Sequence, residues 1–270
     1  MVRRRNPDTL AERSERAHGP GEEVDSLLRG LELLRLFDVR HRSLDTAEIA
    51  AKLGLSRATA AKLVATLQQY NFLRARAPGG GFEPHVACLA LGQAVKRGLP
   101  IVRAAQPRML ALSQRHGVHV TLSTRDRWHM LVLEHVVPAG QVRLGLDTGA
   151  RLPLASSASG RAYLWAQPPA TRTSLLERIK EQDSDGSFRL LSSVYAAFEE
   201  LAERGWCFLA APVTSQTASI ATPIDVFGQT DYVLTAMAVG ADAQRKLRSK
   251  VAPELLAQAS AIAHDLTAAA

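Results

Sequence analysis

Residues 45–70 read DTAEIAAKLGLSRATAAKLVATLQQY. Their spacing predicts two short helices joined by a tight turn. Asp45 is placed to cap the first helix, and Glu48 three residues on completes a capping box. Ile49 and Leu53 give that helix an apolar edge. Gly54 stops it, because a residue without Cβ enters the left-handed conformation at little cost. Ser56 caps the second helix, whose Ala60, Leu63, Val64, Leu67 and Tyr70 fall on one face. Arg57, Ala58, Ala61, Lys62 and Ala65 fall on the other. Ala50 is small enough to let the two helices cross closely. The outline is that of a helix-turn-helix whose second helix does the reading.

That outward face suits duplex DNA. Arg57 and Lys62 reach phosphates or guanine edges, while the alanines keep the helix slim enough for the major-groove floor and offer methyls to thymine. The surrounding charge agrees. Between Val39 and Pro78 stand seven basic residues, Arg40, Arg42, Lys52, Arg57, Lys62, Arg74 and Arg76, against only Asp45 and Glu48. A chain of net charge +7 and pI near 9.8 therefore concentrates its excess where phosphates would lie.

On the N-terminal side, Ser26 is read as the cap of a helix through about Phe37, with Leu27, Leu31 and Leu34 on its buried stripe. Residues 1–23 are polar and rich in Arg, Glu, Gly and Pro, the composition of a disordered tail. On the C-terminal side, NFLRARAPGGGFEP (71–84) reads as two short strands around a Pro-Gly-Gly-Gly turn, a wing that carries Arg74 and Arg76 toward the DNA backbone. Residues 24–85 thus form a winged helix-turn-helix. Residues 86–98 follow as a linker helix whose Val86, Leu89 and Val95 face a partner chain.

From residue 99 to 270 the pattern changes. A helix over Ile101–His116 precedes strands at 118–124, 128–136 and 141–146, then the segment LPLASSASGRAYLWA with a helix after Ser159. Helices at about Thr171–Lys180 and Ser193–Arg204 lead to strands WCFLAAPV, ASIATPIDV and DYVLTAMAV, and a closing helix runs from Ala252 to Leu266. Mixed strands and helices indicate an α/β or α+β ligand-binding domain, and the chain as a whole is read as α+β. At 270 residues two domains are expected. No run of about 18 apolar residues marks a membrane span, the start MVRRRNPDTL lacks the apolar core of a secretory signal, and Cys88 and Cys207 read as reduced thiols. The expectation is a cytoplasmic protein.

Taken together, SLLRGLELLRLF, AEIAAKLGLSRATAAKLVATLQQYNFL, the wing ending in GFEP, LPLASSASGRAYLWA, and AAPV before a late strand resemble the IclR-type bacterial transcriptional regulators. The resemblance covers about Asp25 to Leu266. It implies a C-terminal effector-binding domain of GAF-like fold, homodimers or homotetramers on operator DNA, and a small organic effector, aromatic or a carboxylic acid. It places Ser156, Ser157 and Ala158 at the effector. Two departures are visible. Lys62 stands where Arg is usual, and a lysine lacks the fork that reads guanine. Ala236, Ala238 and Gly240 stand on the late strand where some members carry hydroxyls, which argues for a larger or less polar effector.

Other chemistries fare worse. His119, His129, Glu134 and His135 lie on neighbouring strands, but His129 and His135 share parity with Leu131 and Leu133 while Glu134 points away, which does not converge on a metal. His119 and Thr121, on one strand face, are read instead as lining the effector cavity. ASSASG offers no nucleophile elbow, and no phosphate-binding loop appears, so neither an enzyme nor a cofactor is expected. The sequence reads as a ligand-responsive transcriptional regulator, more plainly a repressor. Arg57, Ala58, Thr59 and Lys62 would enter the major groove, and Ser56, Arg74 and Arg76 would meet phosphates. The competing reading is a constitutive DNA-binding or architectural protein whose second domain only oligomerises.

Overall fold

The computed structural model describes residues 24–38, 41–77, 79–141, 144, 146–182, 187–210 and 217–268. The tail expected over residues 1–23 lies outside them. The chain divides into two compact units, Met1–Val95 and Lys96–Ala270.

In the first unit, α1 (Asp25–Arg35), α2 (Thr46–Leu53) and α3 (Arg57–Gln69) precede a hairpin of β1 (Leu73–Ala75) and β2 (Phe82–Pro84). Asp45 accepts from the Glu48 N–H, and Glu48 accepts from the Asp45 N–H, both at 2.8 Å, so the capping box closes on both sides. Gly54 ends α2 at φ +66°. Leu33, Ile49, Ala50, Ala60, Val64 and Leu73 form the core, and Leu44 bridges to Phe82 to add a third extended segment to the hairpin. Ser43 Oγ donates to the Gly80 carbonyl at the base of the wing.

Two expectations fail on α1. Val24, not Ser26, stands at the N-cap, and among the described residues no side chain caps the helix. Leu27 and Leu31 are 60% and 50% exposed, and the buried position is Leu33. A helix with leucines on several sides offers more than one apolar stripe, and periodicity alone does not choose between them. Tyr70, expected on the buried face, is likewise exposed. The helix α4 (Val86–Gly98) buries no residue.

The second unit is built on one antiparallel six-stranded sheet in the order β5-β4-β3-β8-β7-β6. Its strands are β3 (His119–Asp126), β4 (His129–Val136), β5 (Arg151–Pro153), β6 (Cys207–Ala210), β7 (Thr217–Val226) and β8 (Gln229–Val239). One face is apolar: Val120, Leu122, Ile220, Leu234, Ala236 and Ala238 pack against α5 (Pro100–His116) and α10 (Ala252–Ala268). Arg108 with Asp265, and Arg115 and His116 with Glu254, tie those two helices together. The other face is covered by α6 (Ala158–Ala166), α7 (Pro169–Gln182) and α8 (Ser187–Arg204), with Met130, Ala221, Val233 and Cys207 beneath them. A short helix α9 (Ala243–Lys246) and a wider turn over Leu247–Val251 precede α10.

The strand expected at 141–146 falls largely outside the described residues, and the third strand described in this unit is β5, where the sequence predicted no strand. The strand parity of the histidines also changes. The register of β3 against β4 shifts between Leu122 and Ser123, where Leu133 is the extra residue. Such a bulge reverses alternation beyond it. His135 therefore lies opposite Thr121, while His129 lies opposite Asp126 on the other face.

Candidate functional site

The surface expected to face DNA is built by short-range contacts. Ser56 Oγ accepts the Thr59 N–H at 3.1 Å and sits 2.9 Å from Thr59 Oγ1, which fixes the start of α3. Arg57, Ala58, Ala61, Lys62 and Ala65 are exposed along the side opposite Ala60 and Val64. Neither Arg57, Lys62 nor Arg76 pairs with a carboxylate among the described residues. Arg74 differs. Its Nε and Nη2 each lie 2.7 Å from Oε1 of Glu83, its direct partner across the wing hairpin. The sequence placed Arg74 and Arg76 together; the structure leaves Arg76 open and engages Arg74 within the protein.

In the second unit, cross-strand register gathers a polar group on the sheet face that carries α6. Ladder pairing aligns His135, Thr121, Thr235, Ala221 and Cys207 in one row and His119, Met237, Ser219 and Leu209 in the next. His119 Nδ1 and His135 Nε2 are 3.1 Å apart, with the rings stacked at 5.3 Å between centroids. Burial pulls the His119 pKa down, opposed by a hydrogen bond with the Gln141 side chain. Thr235 Oγ1 and Ser123 Oγ are buried on this face with no hydrogen-bond partner among the described residues. An unsatisfied buried hydroxyl costs free energy unless something meets it.

His119 and Thr121 therefore stand together, as the sequence suggested, and Thr235, Ser123 and His135 join them. Those three were not singled out from the sequence as effector-site candidates. The alternation Thr235, Met237 against Ala236, Ala238 was visible, but which parity shared a face with His119 was not. Ala236 and Ala238 belong to the apolar core on the opposite face, so they carry no information about effector polarity. That correction removes the argument for a less polar ligand.

The loop before α6 is held by its own chemistry. Ser157 Oγ accepts the Gly160 N–H at 3.1 Å and caps the helix. A Cβ on Gly160 would lie 1.8 Å from the Leu154 carbonyl oxygen, so the loop closes only over glycine. Arg161, 7% exposed, donates from Nε to the Ala155 carbonyl and from Nη2 to Ser193 Oγ. Burial pulls its pKa down, opposed by Cys207 and Glu200. The Cys207 Sγ donates to the Ala158 carbonyl, and burial pushes this thiol up to about 12. Of the residues assigned to the effector by resemblance, Ser156 is exposed, Ser157 serves as the cap, and Ala158 is buried. Among the described residues no three His, Cys, Asp or Glu side chains gather as a metal site, and no helix is long and apolar enough to cross a membrane.

Residues 26–77 match the profile of the IclR helix-turn-helix domain, and residues 93–268 match that of the bacterial transcriptional regulator IclR C-terminal domain. The chain belongs to the IclR family of bacterial transcriptional regulators. Among its relatives, the regulator TsaQ1/TsaQ2 of Comamonas testosteroni is 32% identical over 68% of this chain and 66% of its own length, just under two thirds. The Pca regulon regulatory protein of Pseudomonas putida is 27% identical over 95% of this chain and 89% of its own. A solved IclR-family regulator from Brucella abortus superposes at a TM-score of 0.80 with 30% identity, covering 92% of this chain and 96% of that one. An IclR homologue from Microbacterium hydrocarbonoxydans, solved with 4-hydroxybenzoate, shares the fold at a TM-score of 0.69 and 21% identity over 90% of this chain and 99% of that one. The two-unit α+β architecture is thus the family's, and its helix-turn-helix is a DNA-binding element.

Proposed function

We propose that this IclR-family regulator is a repressor whose operator affinity is set by a small organic acid bound on the polar face of the second unit. Residues 24–85 act as the DNA-binding domain, 86–98 as the linker and 99–270 as the effector and assembly domain. The observation that carries the reading is the cluster of His119, His135 and Thr121 with the unpartnered, buried hydroxyls of Thr235 and Ser123. A folded protein retains such groups at a cost unless a ligand satisfies them. The acid class is supported by the Microbacterium homologue's complex with 4-hydroxybenzoate. Ser156 and Ser157, at the mouth of the loop, complete the contact set with Ala158.

On the DNA side, Arg57, Ala58, Thr59 and Lys62 read the major groove, with Ser56, Arg76 and, once released from Glu83, Arg74 on phosphates. Exposed Leu27 and Leu31 on α1 and Leu89 and Val95 on α4 support assembly as a homodimer or a homotetramer of paired dimers. The effector changes operator affinity only as far as its own affinity differs between the two arrangements of the DNA-binding domains.

The test is binding of the full chain to the DNA flanking its own gene, at fixed salt with excess random competitor. Carboxylic acids handled by the neighbouring genes are added in turn. Competitor-resistant binding that one acid weakens is the expected result. Binding that the competitor abolishes, or that no acid alters, favours a constitutive DNA-binding protein.

A further inference from the structure

We propose that the effector binds together with a proton, which is held between the imidazoles of His119 and His135. This rests on the acid reading given above. A carboxylate entering a buried site needs a positive charge, and among the described residues the cations of this sheet face are already committed. Arg161 from α6 bonds to the Ala155 carbonyl and Ser193. Arg125, at the far end of β3, bonds to the Arg127 carbonyl and lies over the Tyr163 ring. It stands six residues along the strand from His119, or roughly 20 Å. The direct neighbours of the pair across the ladder are Thr121, Thr235 and Met237, none of which carries charge. Tyr163 from α6 and Cys207 from β6 both have their pKa raised by burial and stay neutral. Gln141, in the segment after β4, meets His119 as an uncharged amide. On the reverse face of β4, Lys96 is paired with Glu134 at 2.7 Å.

The pair itself is suited to the task. Two ring nitrogens 3.1 Å apart share one hydrogen, one ring donating to the other's lone pair. With no ligand, burial pulls the His119 pKa down, so that ring is uncharged near neutral pH. An added proton makes one ring a cation while the other accepts its N–H, so the charge is solvated inside the protein. The carboxylate then receives a charge-assisted contact, with the hydroxyls of Thr121 and Thr235 beside it. The proton comes from solvent. The sign follows: the bound acid raises the pKa of the pair, so affinity rises as pH falls between the bound and free values.

The experiment is calorimetry of the full chain against benzoate, 4-hydroxybenzoate and pyruvate, with benzamide as an uncharged control. Two buffers of different ionisation enthalpy are used at about pH 6, about pH 7 and about pH 8, where carboxylic acids stay ionised. The expected result is uptake of about one proton per bound acid, with affinity falling up to about tenfold per pH unit as pH rises. His119→Gln and His135→Gln, each verified by an unchanged melting profile, should lose the proton uptake. A purely structural role for the histidines would not change the proton count. Acid binding without proton uptake overturns the inference while the acid reading stands, and so does uptake that persists in both variants, which places the proton on the ligand. If no acid binds, the reading and the inference fall together.

Discussion

The two units of this chain store their structural instructions over different distances. In the DNA-binding unit the deciding contacts are three residues apart: Asp45 with Glu48, and Ser56 with Thr59. In the effector unit the central strands come from opposite ends of the unit, and Thr124 donates to the carbonyl of Asp231, 107 residues away. A cap is readable wherever it occurs, because the groups that satisfy it are adjacent in the chain. A strand's pairing partner and register depend on everything between. The comparison predicts that the first unit fails locally and by degrees, and the second fails as a whole when a distant close approach is broken.

Gly160→Ala should give the largest effect. The new methyl would meet the Leu154 carbonyl at 1.8 Å, and the atom it strikes is backbone. The neighbours offer no slack: Leu154 and Ala155 in the loop and Ala158 and Ala162 in α6 are all buried. A loss above about 4 kcal/mol is expected for such a clash in a core loop. Thermal unfolding followed by near-ultraviolet circular dichroism, which reports Trp128, Trp165 and Trp206 of the second unit, should lose its transition. The winged-helix unit should keep its helical signal. An unchanged melting profile would mean that the loop before α6 yields, and the contrast between the units would weaken.

This difference in range also explains what the sequence made legible. Every feature of residues 45–70 that depends on neighbours is present in the structure: the double-sided capping box, the left-handed Gly54, the Ser56 cap and the exposed row from Arg57 to Ala65. The errors in the same unit are the Ser26 cap, the outward Tyr70, and which of several leucine stripes on α1 is buried, a choice made by α2 and α3. In the second unit, the strands were visible as hydrophobic segments, but not the order that puts β8 beside β3. Without that order, Thr235 could not be placed opposite Thr121. The bulge at Leu133 was silent in the sequence, and it alone decides that His135, and not His129, shares a face with His119.

Asp45→Ala tests the local side of the contrast and should be milder. It removes the acceptor for the Glu48 N–H and leaves only the other half of the box, the Glu48 carboxylate accepting from the backbone N–H of residue 45. Loss of an N-cap of this kind costs about 1 kcal/mol. The helix-turn-helix should melt a few degrees earlier with unchanged cooperativity, and the second unit's transition should not move. Asp45→Asn, which keeps an acceptor, should recover most of the loss. A shift in both transitions would show that the units do not melt independently.

The smallest effect is expected at the wing, where short-range reading reached its limit. The sequence showed two arginines on one strand and gave no reason to separate them. The structure pairs Arg74 with Glu83 through two nitrogens and leaves Arg76 open. The ion pair is exposed, with 59% of the Arg74 side chain in solvent, and exposed pairs are weak enough for a phosphate to compete. If Arg74 meets phosphate as proposed, Glu83 should reduce the wing's contribution to DNA binding without abolishing it. Glu83→Gln should tighten binding to a random-sequence duplex about threefold and steepen the dependence of log affinity on log salt by about 0.9, the increment for one added phosphate contact. Arg74→Gln should cost little in the wild-type background and should cancel the gain in the Glu83→Gln background. If the two substitutions act independently, the gain reflects only the removal of a negative charge, and Arg74 stays with the protein when DNA is bound.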